Sequence, residues 1–151
     1  QPYMVAKMTE LLELEPGDRV LEVGTGSGYQ AAVLGALGCE VYTIEIVEPL
    51  ARAARERLAA LGYTRVTVRC GDGYRGWPEH APFDLIIVAA APDHVPPALI
   101  EQLSPGGRLV LPVGDSYQNL VIVEKQQDGQ TRQWTVIPVA FVPMTGEARR
   151  R

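Results

Sequence analysis

Three glycines at alternate positions form the segment of this chain that is best suited to hold a ligand. Gly24, Gly26 and Gly28 follow the mostly apolar run Val20–Val23 and precede an alanine-rich segment with a helical pattern. A glycine turn between a strand and a helix brings bare backbone against a nucleotide, because glycine carries no Cβ and adopts positive φ. The segment predicts a nucleotide-like ligand; a turn that needs glycine for its geometry alone is the alternative.

The spacing of these glycines narrows the ligand class. The dinucleotide fingerprint G-x-G-x-x-G needs a small residue at position 29, where this chain has Tyr29. The mismatch disfavours an NAD-dependent oxidoreductase. It favours S-adenosylmethionine (SAM), which has no pyrophosphate to place on the helix N-terminus.

Two carboxylates are predicted to reach the same crevice. Glu45 lies at the end of the second predicted strand, where a carboxylate can accept hydrogen bonds from both ribose hydroxyls. Asp72, flanked by two glycines after the third predicted strand, can accept a hydrogen bond from an adenine amino group. The alternatives are a solvated glutamate and an ordinary turn. Ala89, at the end of the fourth strand, leaves room for cofactor and substrate, although it equally suits tight packing.

Helices and strands alternate along the first two thirds of the chain, which predicts a parallel sheet with helices on both faces. Two later segments, Asn119–Lys125 and Trp134–Val142, are predicted to return as an antiparallel meander at one edge. The prediction is a single Rossmann-like α/β domain over residues 1–151, with a doubly wound, mostly parallel seven-stranded sheet. The first five strands are predicted over Arg19–Val23, Glu40–Ile46, Arg65–Arg69, Phe83–Ala89 and Arg108–Val113.

Composition excludes several other classes of function. The chain has 151 residues and a formal net charge of −4, which argues against nucleic acid as a partner. No apolar run approaches the ~20 residues of a membrane span. Cys39, Cys70, His80 and His94 have no metal-type spacing, so we expect free thiols, no metal site and a cytoplasmic location. Composition leaves the oligomeric state open, and a monomer is favoured.

Several segments together are more specific than the glycine pattern alone. They are Gln-Pro-Tyr-Met-Val-Ala at 1–6, Leu-Glu-Val-Gly-Thr-Gly-Ser-Gly-Tyr-Gln at 21–30, Val-Tyr-Thr-Ile-Glu at 41–45, Gly-Asp-Gly-Tyr-Arg-Gly-Trp at 71–77 and Phe-Val-Pro-Met-Thr-Gly at 141–146. Through them the chain resembles the bacterial type of protein-L-isoaspartate O-methyltransferase over essentially its whole length.

The resemblance implies a SAM methyltransferase fold and methyl transfer from SAM to the free carboxylate of isoaspartyl residues in damaged peptides and proteins. S-adenosylhomocysteine (SAH) is then the product. The expected cofactor-binding residues are Glu22, Gly24, Thr25, Gly26, Gly28, Glu45, Ile46, Asp72, Gly73 and Ala89. The expected substrate-binding residues are Gln1, Pro2, Val142 and Pro143.

The chain differs from the family pattern at one place. In the family a Thr-Ile-Ser segment, with the serine that is given a catalytic role, directly precedes the residues matched by Gln1–Tyr3. We therefore expect an N-terminally truncated chain without a catalytic residue of its own. Such a chain is expected to bind SAM or SAH but to methylate weakly. A non-catalytic SAM-binding domain, or a SAM methyltransferase with a different small acceptor, is the alternative.

Overall fold

Seven strands form one sheet in the computed structural model, which describes residues 2–150. In chain order they are β1 (Arg19–Val23), β2 (Glu40–Glu45), β3 (Val66–Cys70), β4 (Phe83–Val88), β5 (Leu103–Gly114), β6 (Gln118–Lys125) and β7 (Thr131–Val139). Their spatial order is β3-β2-β1-β4-β5-β6-β7. The first five are parallel, and β6 and β7 are antiparallel. The predicted doubly wound sheet with a C-terminal meander is confirmed.

Helices cover both faces of this sheet. They are α1 (Pro2–Leu12), α2 (Tyr29–Ala36), α3 (Glu48–Ala60) and α4 (Pro97–Glu101), with short 3-10 turns at Gly73–Arg75, Pro78–His80 and Gly146–Arg150. On one face α1, α2 and α3 bury Met8, Leu34 and Leu58. On the other face α4 and the 3-10 turns bury Leu99 and Tyr74. None of the helices described within residues 2–150 has the length and apolar character of a membrane span.

The strand order reverses at the centre of the sheet, where β1 lies between β2 and β4. Val23, the last residue of β1, is the register partner of Ile44 and of Val88. The pairing continues past the strand ends, because Gly24 N donates to Ile44 O and Ala89 N donates to Val23 O, both at 2.8 Å. Ligands bind beyond the carboxyl ends of the strands at such a reversal. The fold therefore places the glycine segment at the expected binding crevice.

The bounds of β5 and β7 differ most from the prediction, and those of the other strands differ by one residue at most. β5 begins at Leu103, five residues before the predicted start, because this residue pairs with Phe83 across an irregularity in the register. β7 ends at Val139, three residues before the predicted end. There the chain leaves the sheet, and the amide side chain of Gln118 bonds both backbone groups of Phe141, at 2.7 and 3.0 Å.

Candidate cofactor site

A cavity of about 430 Å³ lies at the carboxyl ends of β1, β2 and β4. Its polar side chains are Glu45, Asp72 and Thr145, and three glycines, Gly24, Gly26 and Gly73, expose backbone. The rest of the wall is apolar and consists of Val23, Ile44, Ile46, Val47, Leu50, Ala89, Ala90, Val142, Pro143 and Met144. An apolar cavity with a few convergent polar groups is the usual form of a small-molecule site.

The glycine loop has the backbone conformation that its composition predicts. Gly24, Gly26 and Gly28 have φ values of 96°, 54° and 89°. Gly24 and Gly26 line the cavity, whereas Gly28 does not. Gly28 precedes α2 and faces α3, and a Cβ there would lie 3.4 Å from Leu58. The third glycine therefore serves helix packing in this structure.

Glu45 joins the glycine loop to the start of α3. Its Oε1 accepts a hydrogen bond from Gly26 N at 2.8 Å, and its Oε2 accepts one from Val47 N at 3.0 Å. The side chain is buried, yet it lines the cavity. Two backbone donors thus fix the carboxylate at the strand end, and each oxygen keeps acceptor capacity for a ligand hydroxyl.

Three buried polar side chains lie behind the loop. Thr25 Oγ1 is 2.6 Å from Thr43 Oγ1, and Thr43 donates to Glu22 Oε1 at 2.6 Å. The pKa of Glu22 is raised to about 8, chiefly by burial; the hydrogen bond from Thr43 opposes the rise, and the negative charge of Glu45 adds to it. None of the three lines the cavity. In this structure Glu22 and Thr25 support the loop from beneath, and their predicted contacts with a cofactor stay a prediction.

Asp72 connects the cavity to the end of the chain. Its Oδ1 accepts from Tyr74 N at 3.0 Å, and its Oδ2 accepts from Glu147 N at 2.8 Å. The side chain of Glu147 also pairs with Arg75, at 2.5 Å between Oε2 and Nε. Asp72 thus has a structural role that the sequence did not indicate, in addition to the predicted adenine contact.

The C-terminal segment, residues 140–149, closes one side of the cavity. Val142 O accepts from Ala91 N, and Met144 N donates to Ala91 O, both at 2.8 Å. Met144 and Ala148 are buried in the core. The segment is therefore held at two places, beside β4 and at Asp72, and it is a fixed wall.

A second, mostly apolar cavity of about 580 Å³ adjoins the first and shares Ala89 and Val142 with it. It lies between α1 and the end of β7. Of the predicted substrate residues, Val142 and Pro143 line the first cavity, Pro2 lines neither, and Gln1 lies outside the described residues.

Sequence reasoning missed several residues of the wall. Val47 and Leu50 are about half exposed at the start of α3, and no local pattern separates them from the buried stripe of that helix. Val23 and Ile44 end their strands and could have been inferred from Glu45 and the loop. Thr145 lies in the Val-Pro-Met-Thr-Gly segment, whose likeness to the family was the available signal.

The residues present fit SAM. The carboxylate of Glu45 suits a pair of hydroxyls, the apolar walls suit an aromatic base and a thioether-like chain, and bare glycine backbone allows close approach. Within residues 2–150, no group of three or more His, Cys, Asp or Glu is placed to hold a metal ion.

Comparisons with known proteins agree on one family. The family model described as protein-L-isoaspartate(D-aspartate) O-methyltransferase matches residues 1–149. The chain is 60% identical to protein-L-isoaspartate O-methyltransferase 2 of Polaromonas sp. (strain JS666) over 149 residues, which cover 97% of this chain and 71% of that protein. It is 58% identical to protein-L-isoaspartate O-methyltransferase 1 of Cupriavidus necator, over 97% of this chain and 58% of that protein.

Two solved structures carry the same family name. A protein-L-isoaspartate O-methyltransferase structure superposes with a TM-score of 0.92 at 31% identity and covers 98% of this chain and 48% of its own. A Plasmodium falciparum structure described as a protein-L-isoaspartate O-methyltransferase in complex with SAH superposes with a TM-score of 0.78 at 25% identity, over 95% and 74% of the two chains. This chain thus spans from about half to three quarters of the length of these relatives.

Glu22 predicts a specific dependence of stability on pH. Its pKa of about 8 in the folded protein exceeds the value of 4.5 for an ordinary glutamate, so the folded state binds more protons between these values. The stability that this group contributes is complete below pH 4.5 and is lost as the pH rises to 8. Glu22→Gln removes this titration. The free energy of unfolding of the variant, measured relative to that of the unchanged chain, is therefore expected to be higher at pH 8 than at pH 5, by on the order of a few kcal/mol.

Melting temperatures from pH 5 to 9 test this expectation. Glu48→Gln, at an exposed glutamate on α3, is the matched control and should follow the unchanged chain. Parallel curves for Glu22→Gln and the unchanged chain over the whole range would contradict the shifted pKa.

The position of Gly146 beside Asp72 allows a test of whether the C-terminal segment supports the cavity. Its φ is +79°, and a Cβ there would lie 2.5 Å from Asp72 Oδ2. Gly146→Ala must therefore displace the Asp72–Glu147 contact and is expected to destabilise the chain by about 1–3 kcal/mol. It should also weaken SAH binding, measured by titration calorimetry.

Gly129→Ala is the control for Gly146→Ala. Gly129 has a φ of +88°, but a Cβ there meets nothing within 4 Å, so this change introduces the same backbone strain without the collision. Equal loss of SAH affinity in both variants would show that the contact with Asp72 is unimportant for the cavity.

Proposed function

Because the chain belongs to the protein-L-isoaspartate(D-aspartate) O-methyltransferase family, we propose that it transfers a methyl group from SAM to the free carboxylate of L-isoaspartyl residues in damaged proteins. The observation that carries this proposal is the cavity at the strand reversal, with Glu45 held between the glycine loop and α3. The chain spans 58–71% of the two curated relatives named above, so activity, substrate and partners are proposed here for the chain by itself.

The proposed cofactor contacts follow from the wall of the cavity. Glu45 accepts hydrogen bonds from the ribose hydroxyls, and Asp72 accepts one from the adenine amino group. Gly24 and Gly26 offer backbone at close range, and Gly73 leaves room for the adenine ring. Ile46 and Ala89 contribute apolar wall. Glu22, Thr25 and Gly28 act from behind the loop by fixing its shape.

The chemistry places few demands on the protein. SAM, when bound, supplies an electrophilic methyl group on a sulfonium. A carboxylate acceptor has a pKa near ~4 and is already ionised at pH 7, so no general base is needed. The transfer neutralises opposite charges, and an apolar wall that excludes water favours it through alignment and desolvation.

The proposed acceptor position is the junction of the two cavities. Val142 and Pro143 lie at the wall of the first cavity, and Val142 is 69% exposed. Among the residues that the structure describes, the main chain of residues 142–144 bonds to Ala91 alone, so part of this backbone is free to bond a peptide. An extended isoaspartyl peptide is proposed to lie along this stretch. A cytoplasmic location, a monomeric state and a single domain stay predictions.

Titration of the chain with SAM, run beside a methylation assay, tests the proposal. An isoaspartyl peptide is expected to accept label from methyl-labelled SAM, and the same peptide with a normal aspartyl residue is not. The full-length Polaromonas relative, assayed in parallel, gives the rate against which this chain is measured. Binding of SAM without transfer to any peptide would overturn the proposed activity and leave a cofactor-binding domain.

The proposed role of Glu45 in binding the ribose predicts a loss of cofactor affinity when its carboxylate is replaced. Glu45→Gln removes the charge that accepts both ribose hydroxyls, and hydrogen bonds to charged groups contribute about 1.5–3 kcal/mol. SAM and SAH affinity are expected to fall by about 10- to 150-fold, measured by calorimetry. Glu48→Gln, three residues later and half exposed, is the control and should bind as the unchanged chain does. Unchanged affinity in Glu45→Gln would remove Glu45 from the site.

A further inference from the structure

Glu22 is a buried carboxyl group without a counter-ion. It is 1% exposed, and among the residues that the structure describes no Lys or Arg forms an ion pair with it. Its recorded hydrogen bond comes from Thr43, which lies 2.6 Å from Thr25 of the glycine loop. A carboxyl group in this situation is costly to ionise unless a positive charge arrives nearby.

The elements around Glu22 place no such charge beside it. On α3, which covers the same face of the sheet, the three arginines bond to other groups: Arg52 pairs with Glu48, Arg55 donates to Val68 O, and Arg57 donates to Ser27 O. β2 contributes Glu45, a like charge, and β4 places Ile87 at the register position of Glu22. The helix α2 contains no charged residue, and Lys7 and Glu10 of α1 pair with each other at 3.9 Å. Burial without a counter-ion raises the pKa of Glu22 to about 8, so the protonated form is favoured at pH 7.

The protonation state of Glu22 can reverse the hydrogen bonds behind the loop. When Glu22 is ionised it accepts from Thr43, and Thr43 in turn accepts from Thr25. When Glu22 is protonated it can donate to Thr43, which then donates to Thr25. Thr25 lies between Gly24 and Gly26, which line the cavity. Two hydroxyl groups therefore connect the state of Glu22 to the cavity wall.

We propose that Glu22 is a positioning residue that releases its proton when a cationic cofactor occupies the cavity and keeps it when a neutral one does. The inference rests on the proposed function, since SAM carries a sulfonium and SAH a neutral thioether. Only the O–H bond of Glu22 breaks, and the proton goes to solvent. A positive charge in an apolar cavity favours the carboxylate form. The ionised network then stabilises the methyl donor and not the product, so the site discriminates between them.

Calorimetry at one pH in buffers of different ionisation enthalpy counts the protons exchanged on binding. At pH 7 we expect SAM to release about half to one proton more than SAH. An analogue with a charged amine in place of the sulfonium should behave as SAM does. The ratio of SAM affinity to SAH affinity should increase between pH 6.5 and 9. The increase is expected to be about tenfold for each pKa unit by which the bound cation lowers the pKa of Glu22.

Two variants separate this linkage from a merely structural role. Glu22→Gln keeps the size and a hydrogen bond to Thr43 but cannot release a proton, so it should lose the excess release with SAM and any pH-dependent preference. Thr43→Ser keeps the hydroxyl chain and should retain both. Because residue 22 cannot release a proton in Glu22→Gln, the proton count that remains in this variant measures exchange by other groups, such as the amino group of the cofactor.

The outcomes are distinguishable. Equal proton counts for SAM and SAH in the unchanged chain, or an excess that persists in Glu22→Gln, would overturn the inference while cofactor binding stands. Absence of binding by both ligands would overturn the proposed function together with it. If Glu22→Gln does not fold, the comparison of SAM with SAH in the unchanged chain decides alone.

Discussion

The parallel pairing of β1 with β2 and with β4 is the constraint on which the rest of the site depends. These three strands end at the same level, and their backbone bonds extend one residue further, from Gly24 to Ile44 O and from Ala89 to Val23 O. The bonds fix where the glycine loop leaves the sheet. They also bring the small side chain of Ala89 within 3.5 Å of the position that a Cβ on Gly24 would occupy. The cavity lies at this level because the chain leaves β1 between β2 on one side and β4 on the other, where the strand order reverses.

Polar groups at this crevice are held by the backbone rather than by ion pairs. Glu45 and Asp72 each accept two backbone N–H groups, so both carboxylates are fixed before any ligand binds. Among the described residues, no buried side-chain nitrogen or oxygen lacks a hydrogen-bond partner. Such preorganisation lowers the entropic cost of binding, because the side chains lose little freedom when a ligand arrives. Glu22 differs, since it bonds to the hydroxyl group of Thr43, and the direction of that hydrogen bond can reverse.

Local sequence patterns predicted most of the fold and the centre of the site. Glycine spacing, an apolar strand before a carboxylate and the alternation of helices with strands are short-range signals, and they located Glu45, the loop and the central strands. The patterns were less informative where position depends on distant partners. The end of β7 is decided by Gln118, and the second role of Asp72 by Glu147, 75 residues later. Neither partner carries a local signature. Glu22 was predicted to bind the cofactor, and its burial beneath the loop could not be inferred from one residue in an apolar strand.

The bond between Asp72 and Glu147 also bears on the order in which the molecule is completed during synthesis. At ribosomal speeds of about 5–20 residues per second, Asp72 emerges several seconds before Glu147. Until then the crevice lacks the wall that contains Val142, Pro143 and Met144. The nascent α/β half therefore presents an open, apolar edge without a finished binding cavity. The complete cavity forms only after translation has passed the C-terminal segment.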